Sequence, residues 1–146
     1  MRFRYHLQKL VDLKSNEKEQ AEWMLSEAVT QLLREETALS GLLEEKERVD
    51  AELEAAAAET TSVSRVQMLQ HYSEHLERQI RIKQGEVKKA QENVTVKRTF
   101  LAEKMKEEKV WLKAREKAEL QFVSLMMKKE QEHLDEIALT RRMQTI

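Results

Sequence analysis

The sequence predicts an all-α protein of two long helices, folded back as an antiparallel coiled-coil hairpin with its turn near residues 58–64. Three observations predict it. Ala, Glu, Lys, Leu and Arg supply 81 of 146 residues, the composition of long helices and coiled coils. Two Gly and no Pro leave little from which to build tight turns or phosphate-cradling loops. Apolar residues recur at alternating steps of three and four in two long stretches, separated by "LEAAAAETTSVSRVQML", Leu53 to Leu69.

The first helix is expected over residues 1–58. Leu25, Leu32, Leu39, Lys46 and Leu53 take heptad position a, and Ala21, Ala28, Glu35, Leu42, Val49 and Ala56 take d. Nine of these eleven are apolar, enough to bury one continuous stripe against a partner. Trp23 falls at the outward position f.

The interruption carries helix-start chemistry. Thr60 and Thr61 lower helix propensity, Ser62 and Ser64 are candidate N-caps, and Ser64 with Gln67 matches a capping box. The four-Ala run before them favours helix, so propensity alone also allows one uninterrupted helix.

The second helix is expected over 63–140. Val66, Ser73, Ile80, Val87, Val94 and Leu101 fall at a, and Leu69, Leu76, Lys83, Ala90, Lys97, Lys104 and Trp111 at d. If Ala56 faces Val66, facing residue numbers add to 122 and every a meets a d. Thirteen of the fifteen layers from Ala56/Val66 to Leu7/Arg115 then hold an apolar residue. Lys14/Glu108 is an opposite-charge layer, and Lys18/Lys104 reads as a repulsive one. Charge agrees with folding back. Residues 1–59 carry 8 basic and 14 acidic side chains, and residues 60–146 carry 18 and 13. Two copies of one helix would repel, whereas the two halves of one chain attract. A monomer is therefore expected.

Gly41 and Gly85, at outward positions c and f, lie near one another across the hairpin, close to seam residues Lys46 and Lys83. They read either as tolerated surface glycines or as a soft recognition zone. Residues 119–146 extend beyond the paired stem, leaving Phe122, Leu125, Met126, Leu134 and Ile137 as an apolar stripe. Such a stripe marks a binding surface, and adaptable Met side chains suit it. The other end of the stem is basic on both strands. Arg2, Arg4, Lys9 and Lys14 lie alongside Lys109, Lys113, Arg115 and Lys117, with Phe3 and Tyr5 as apolar anchors.

Catalytic chemistry is not expected. "HYSEH", His71 to His75, matches a zinc-protease motif formally, but both His fall on outward positions with no cleft around them. His6 and His133 stand alone. The absence of Cys removes disulfides and thiolate metal sites. No metal, cofactor or small-molecule substrate is expected. Residues 97–117 hold 8 basic side chains against 4 acidic, but without interleaved aromatics to stack bases they read as a solvated face, not a nucleic-acid site. No apolar run reaches the roughly 20 residues that cross a bilayer. The opening "MRFRYHLQKL" lacks the apolar region of a signal peptide, so a cytoplasmic location is expected.

The opening "FRYHLQKLVDLKSNEKEQA" resembles the N-terminal signature of the flagellar export FliJ family, in which an aromatic–basic segment leads into a Glu/Lys-rich helix. Leu69, Tyr72, Leu76 and Ile80 hold places resembling that family's second helix, and "REKAELQF" and "DEIALTRRM" its C-terminal segments. The resemblance implies an antiparallel hairpin similar to the γ-subunit coiled coil of rotary ATP synthases. It implies a non-enzymatic stalk that inserts into the hexameric export ATPase FliI, promotes ring assembly and activity, and couples the ATPase to the export gate FlhA. Handling of export chaperones is implied as well, as is a peripheral position at the cytoplasmic face of the inner membrane. On this resemblance Leu42, Tyr72, Leu76, Gln79 and Lys83 would face the gate, while Glu45 and Val49 stand where the family carries aromatics on the first helix. The ATPase ring would be met by the basic end and its neighbours: Phe3, Arg4, Tyr5, Lys9, Lys113, Arg115, Phe122 and Met126. The alternatives are the equivalent stalk of a virulence type III secretion ATPase and a generic coiled-coil scaffold.

Overall fold

The computed structural model describes residues 2–59 and 62–145. They form two helices, α1 (Gln8–Ala58) and α2 (Val63–Gln144), packed against each other, with no strand among the described residues. Helix α1 begins at Gln8 rather than at the chain start. The aromatic-rich residues before it are poor helix formers, and a turn in which the Gln8 amide donates to the Tyr5 carbonyl at 3.1 Å leads into the helix. Helix α2 runs four residues past the expected end, with Arg141 and Arg142 in its last turn, where positive charge complements the helix dipole.

Ser62 caps α2. Its hydroxyl accepts from the Arg65 amide at 3.3 Å, satisfying one of the donors that a helix start leaves unpaired. The capping box expected from Ser64 and Gln67 is not formed, because the helix begins one residue before Ser64 and places Arg65 where the reciprocal Gln would stand. Thr60 and Thr61 lie outside the described residues.

The seam follows the heptads. The buried side chains are Val11, Ala21, Ala28, Val49, Ala56, Leu76, Ile80 and Val94, and all eight are expected seam positions. Between Ser62 and Leu101, the residues withdrawn from solvent are the eleven predicted a and d positions and no others. Most seam leucines are only half-buried, since two helices cover each side chain from one direction and leave the flanks open. Polar contacts fix the register. Numbers add to 118 for Glu35 and Lys83, to 123 for Asp50 and Ser73, and to 121 for Lys14 and Glu107. The Asp50–Ser73 and Lys14–Glu107 sums fall within one of 122, and the long Lys83 side chain reaches one layer along to Glu35.

The chain divides into two compact units, Ala21–Leu101 and a terminal unit of Met1–Gln20 with Ala102–Ile146. Among the described residues, seven of the eight buried side chains lie in the Ala21–Leu101 unit and the eighth, Val11, in the terminal unit.

Candidate partner-binding surfaces

In the Ala21–Leu101 unit the seam is interrupted by two polar bands. In the first, the Lys83 ammonium lies 2.9 Å from Glu35 and 2.7 Å from Glu86. These partners raise the Lys83 pKa, Glu86 most and then Glu35, while Lys83 holds the Glu35 carboxyl below its ordinary range. In the second, Lys46 pairs with Asp50 at 2.7 Å, and the Ser73 hydroxyl donates to Asp50 at 2.6 Å. Lys46 and then Ser73 lower the Asp50 pKa. Lys46 and Lys83 thus have partners, and the two polar bands bridge the helices. A Cβ added at Gly41 or Gly85 would meet nothing within 4 Å, so neither glycine is needed for close packing and both fit the surface-glycine reading.

The five residues that the resemblance assigns to the gate separate into two groups. Tyr72 and Gln79 are exposed. The Tyr72 hydroxyl donates to Glu45 at 2.5 Å, which raises the phenol pKa, and its ring stacks on His75 with centroids 6.4 Å apart. Leu76 is buried at 3% exposure, Leu42 is half-buried in the seam, and Lys83 is engaged with Glu35 and Glu86. Leu76 therefore does not present a side chain to a partner in this conformation; it supports the face that Tyr72 and Gln79 display. The Glu45–Tyr72 contact was not read from the sequence. Its signal was available, because both residues occupy position g and g positions flank the seam on the same side in an antiparallel pair.

The terminal unit builds a second surface. The extended segment ahead of α1 lays Phe3 against Phe122, with ring centroids 5.4 Å apart. The Arg115 guanidinium sits 5.7 Å from the Phe3 ring centre, donates through Nε to Gln8 at 2.8 Å, and approaches Glu119 at 3.6 Å. Such a stacked cation adds electrostatic attraction to apolar contact. Tyr5 packs edge-on to His6 at 5.4 Å. Phe122 and Met126 are half-buried, so the stripe anticipated from residue 119 onward is covered at its start. Leu125, Leu134 and Ile137 of the same stripe remain exposed. Arg4, Lys9 and Lys113 are exposed. Arg115, in contrast, is committed to holding Phe3 and Gln8.

The expected Lys18/Lys104 repulsion is offset by carboxylates that lie beside the layer. Lys14 contacts Glu107 at 3.3 Å and Glu17 at 3.4 Å, Lys104 contacts the same two at 3.4 Å each, and Lys18 contacts Glu108 at 3.3 Å. Lys14 chiefly lowers the Glu107 pKa, and Glu107 chiefly raises that of Lys14. Glu17 and Glu107 are outside the a and d positions, so a layer-by-layer reading passes over them.

His71 and His75 are exposed, with Glu74 4.0 Å from His71. Among the described residues no group of three or more His, Asp or Glu side chains is disposed to hold a metal ion. No described helix is long and apolar enough to cross a membrane.

A seam spent on helix pairing, with exposed aromatic and charged side chains on its flanks, defines a coiled-coil interaction protein. The family model described as Flagellar FliJ protein matches residues 3–145. The chain belongs to this family, which places it among the proteins of flagellar type III export. No curated protein and no solved structure matches it.

Proposed function

We propose that this chain is the non-enzymatic stalk of the flagellar export ATPase. It binds the hexameric ATPase FliI, promotes ring assembly and activity, and couples the ring to the export gate FlhA, and it handles export chaperones. It works in the cytoplasm, peripheral to the inner membrane through the export apparatus. The observation that carries this reading is the family match over residues 3–145. That match favours the flagellar stalk over both the virulence counterpart and a generic scaffold.

The physical basis is symmetry. A two-helix hairpin has no six-fold axis, so within a six-fold ring it offers a different surface to each of six equal subunits. Differential affinity then biases their conformations, as any ligand that distinguishes states must. Exposed Arg4, Lys9 and Lys113 supply charge for an acidic ring lining, and Phe3 with Phe122 supplies an apolar edge. Tyr72 and Gln79 face the gate. In isolation the chain is a monomer, held so by the net charges of −6 and +5 on residues 1–59 and 60–146.

The test is ATP hydrolysis by purified export ATPase with and without this protein. Hydrolysis rises on addition of the wild type. The triple variant Arg4→Glu, Lys9→Glu, Lys113→Glu loses most of that stimulation while remaining helical. A wild-type protein that leaves hydrolysis unchanged contradicts the stalk and favours the scaffold.

A further inference from the structure

The terminal unit contains a feature that the stalk reading does not require. Across residues 14–18 of α1 and 104–108 of α2, the side chains withdrawn from solvent include Lys14, Glu17, Lys18, Lys104, Glu107 and Glu108, with no apolar residue at a or d. Lys14, Glu17, Lys104 and Glu107 interlock through four contacts of 3.3–3.4 Å, and Lys18 pairs with Glu108 at 3.3 Å beside them. Their exposures run from 14% at Glu108 to 42% at Glu107, so water reaches the network and each pair contributes little net stability. Among the described residues the terminal unit has one buried side chain, Val11, whereas the Ala21–Leu101 unit has seven, all apolar. Apolar burial is what resists local opening, and cooperative units differ by how much of it each contains.

We infer that the ionic band is a latch: residues 8–18 of α1 separate from α2 in one step while residues 21–58 remain paired. Opening releases Val11 and uncovers Trp111, which is half-buried when the latch is closed. It also loosens the Gln8–Arg115 bond and the Phe3–Phe122 contact beyond it. Opening therefore adds the half-buried face of 104–118 to the stretch of α2 offered to a partner. Because the pairs are partly solvated, added salt shifts the latch toward open. The inference concerns the terminal unit alone and holds whichever partner binds there.

Native-state amide exchange on the full chain tests it. Amides of residues 8–18 are expected to exchange at least tenfold faster than those of 25–50, with a step between 18 and 25, and to exchange faster still as salt is raised. In a Trp23→Phe background, which leaves Trp111 as the sole tryptophan reporter, acrylamide quenching rises with salt in parallel. The variant Lys14→Leu, Lys18→Leu, Lys104→Leu, Glu108→Leu replaces two charged layers with apolar ones. It should slow exchange of 8–18 at least tenfold and leave 25–50 unchanged. A smooth gradient from the chain end without a step, as simple fraying gives, overturns the latch. So does wild-type exchange of 8–18 equal to that of 25–50. If the quadruple variant does not fold, the step and the salt dependence in the wild type decide alone.

Discussion

Single side chains decide whether the polar bands hold the hairpin or weaken it. Glu35, Asp50 and Glu107 all have carboxyls held below their ordinary pKa by Lys83, Lys46 and Lys14 respectively. A carboxyl whose folded pKa is depressed contributes stability above its unfolded pKa and loses it as pH falls through the folded one. The melting temperature is therefore expected to fall as pH drops through the ordinary carboxylate range near about 4 and below. Glu35→Gln should make that fall shallower. Thermal melts by circular dichroism check this, and a wild-type midpoint unchanged between pH 6 and pH 3 would show that the ion pairs add nothing. These pairs were only partly legible in the sequence. Heptad assignment places Lys83 and Lys46 in the seam and so exposes a problem of buried charge. The solution lies in where long side chains reach along the helix: Lys83 crosses to Glu35, one layer away from its formal partner Leu39.

At the scale of the helices, the seam was readable because burial obeyed one periodicity throughout 62–101. Its weak point was the segment outside any heptad. No periodicity reports that Phe3, in an extended segment, reaches Phe122 and shortens the exposed stripe. The capping box fails for a related reason: Ser62 and Ser64 are both competent caps, and the start at Val63 selects Ser62. Burial also ranks the layers. Leu76→Ala, at a site only 3% exposed, should cost about 2–4 kcal/mol, the range for a buried Leu. Leu53→Ala and Leu69→Ala should cost less, because both side chains are half-buried. Trp23→Ala should change stability by no more than about 0.5 kcal/mol, since the ring is 64% exposed. Urea unfolding orders the four, and a Trp23 cost equal to that of Leu76 would mean the helices face one another differently.

For the whole molecule, the proposal assigns separate work to two surfaces: the basic, aromatic terminal unit to the ATPase, and the face displaying Tyr72 and Gln79 to the gate. The sequence revealed the charge asymmetry behind the first, and the family resemblance the second. It did not reveal that Leu76 and Arg115 serve the hairpin itself and are poor probes of binding. Exposed positions are the informative ones. A photo-crosslinking residue placed at Lys113 or at Gln79, one at a time, in the full chain with export ATPase and gate protein both present, tests the assignment most directly. The account predicts that position 113 crosslinks to the ATPase and position 79 to the gate. Crosslinks exchanged between the two partners, or both positions joined to the same one, would contradict it.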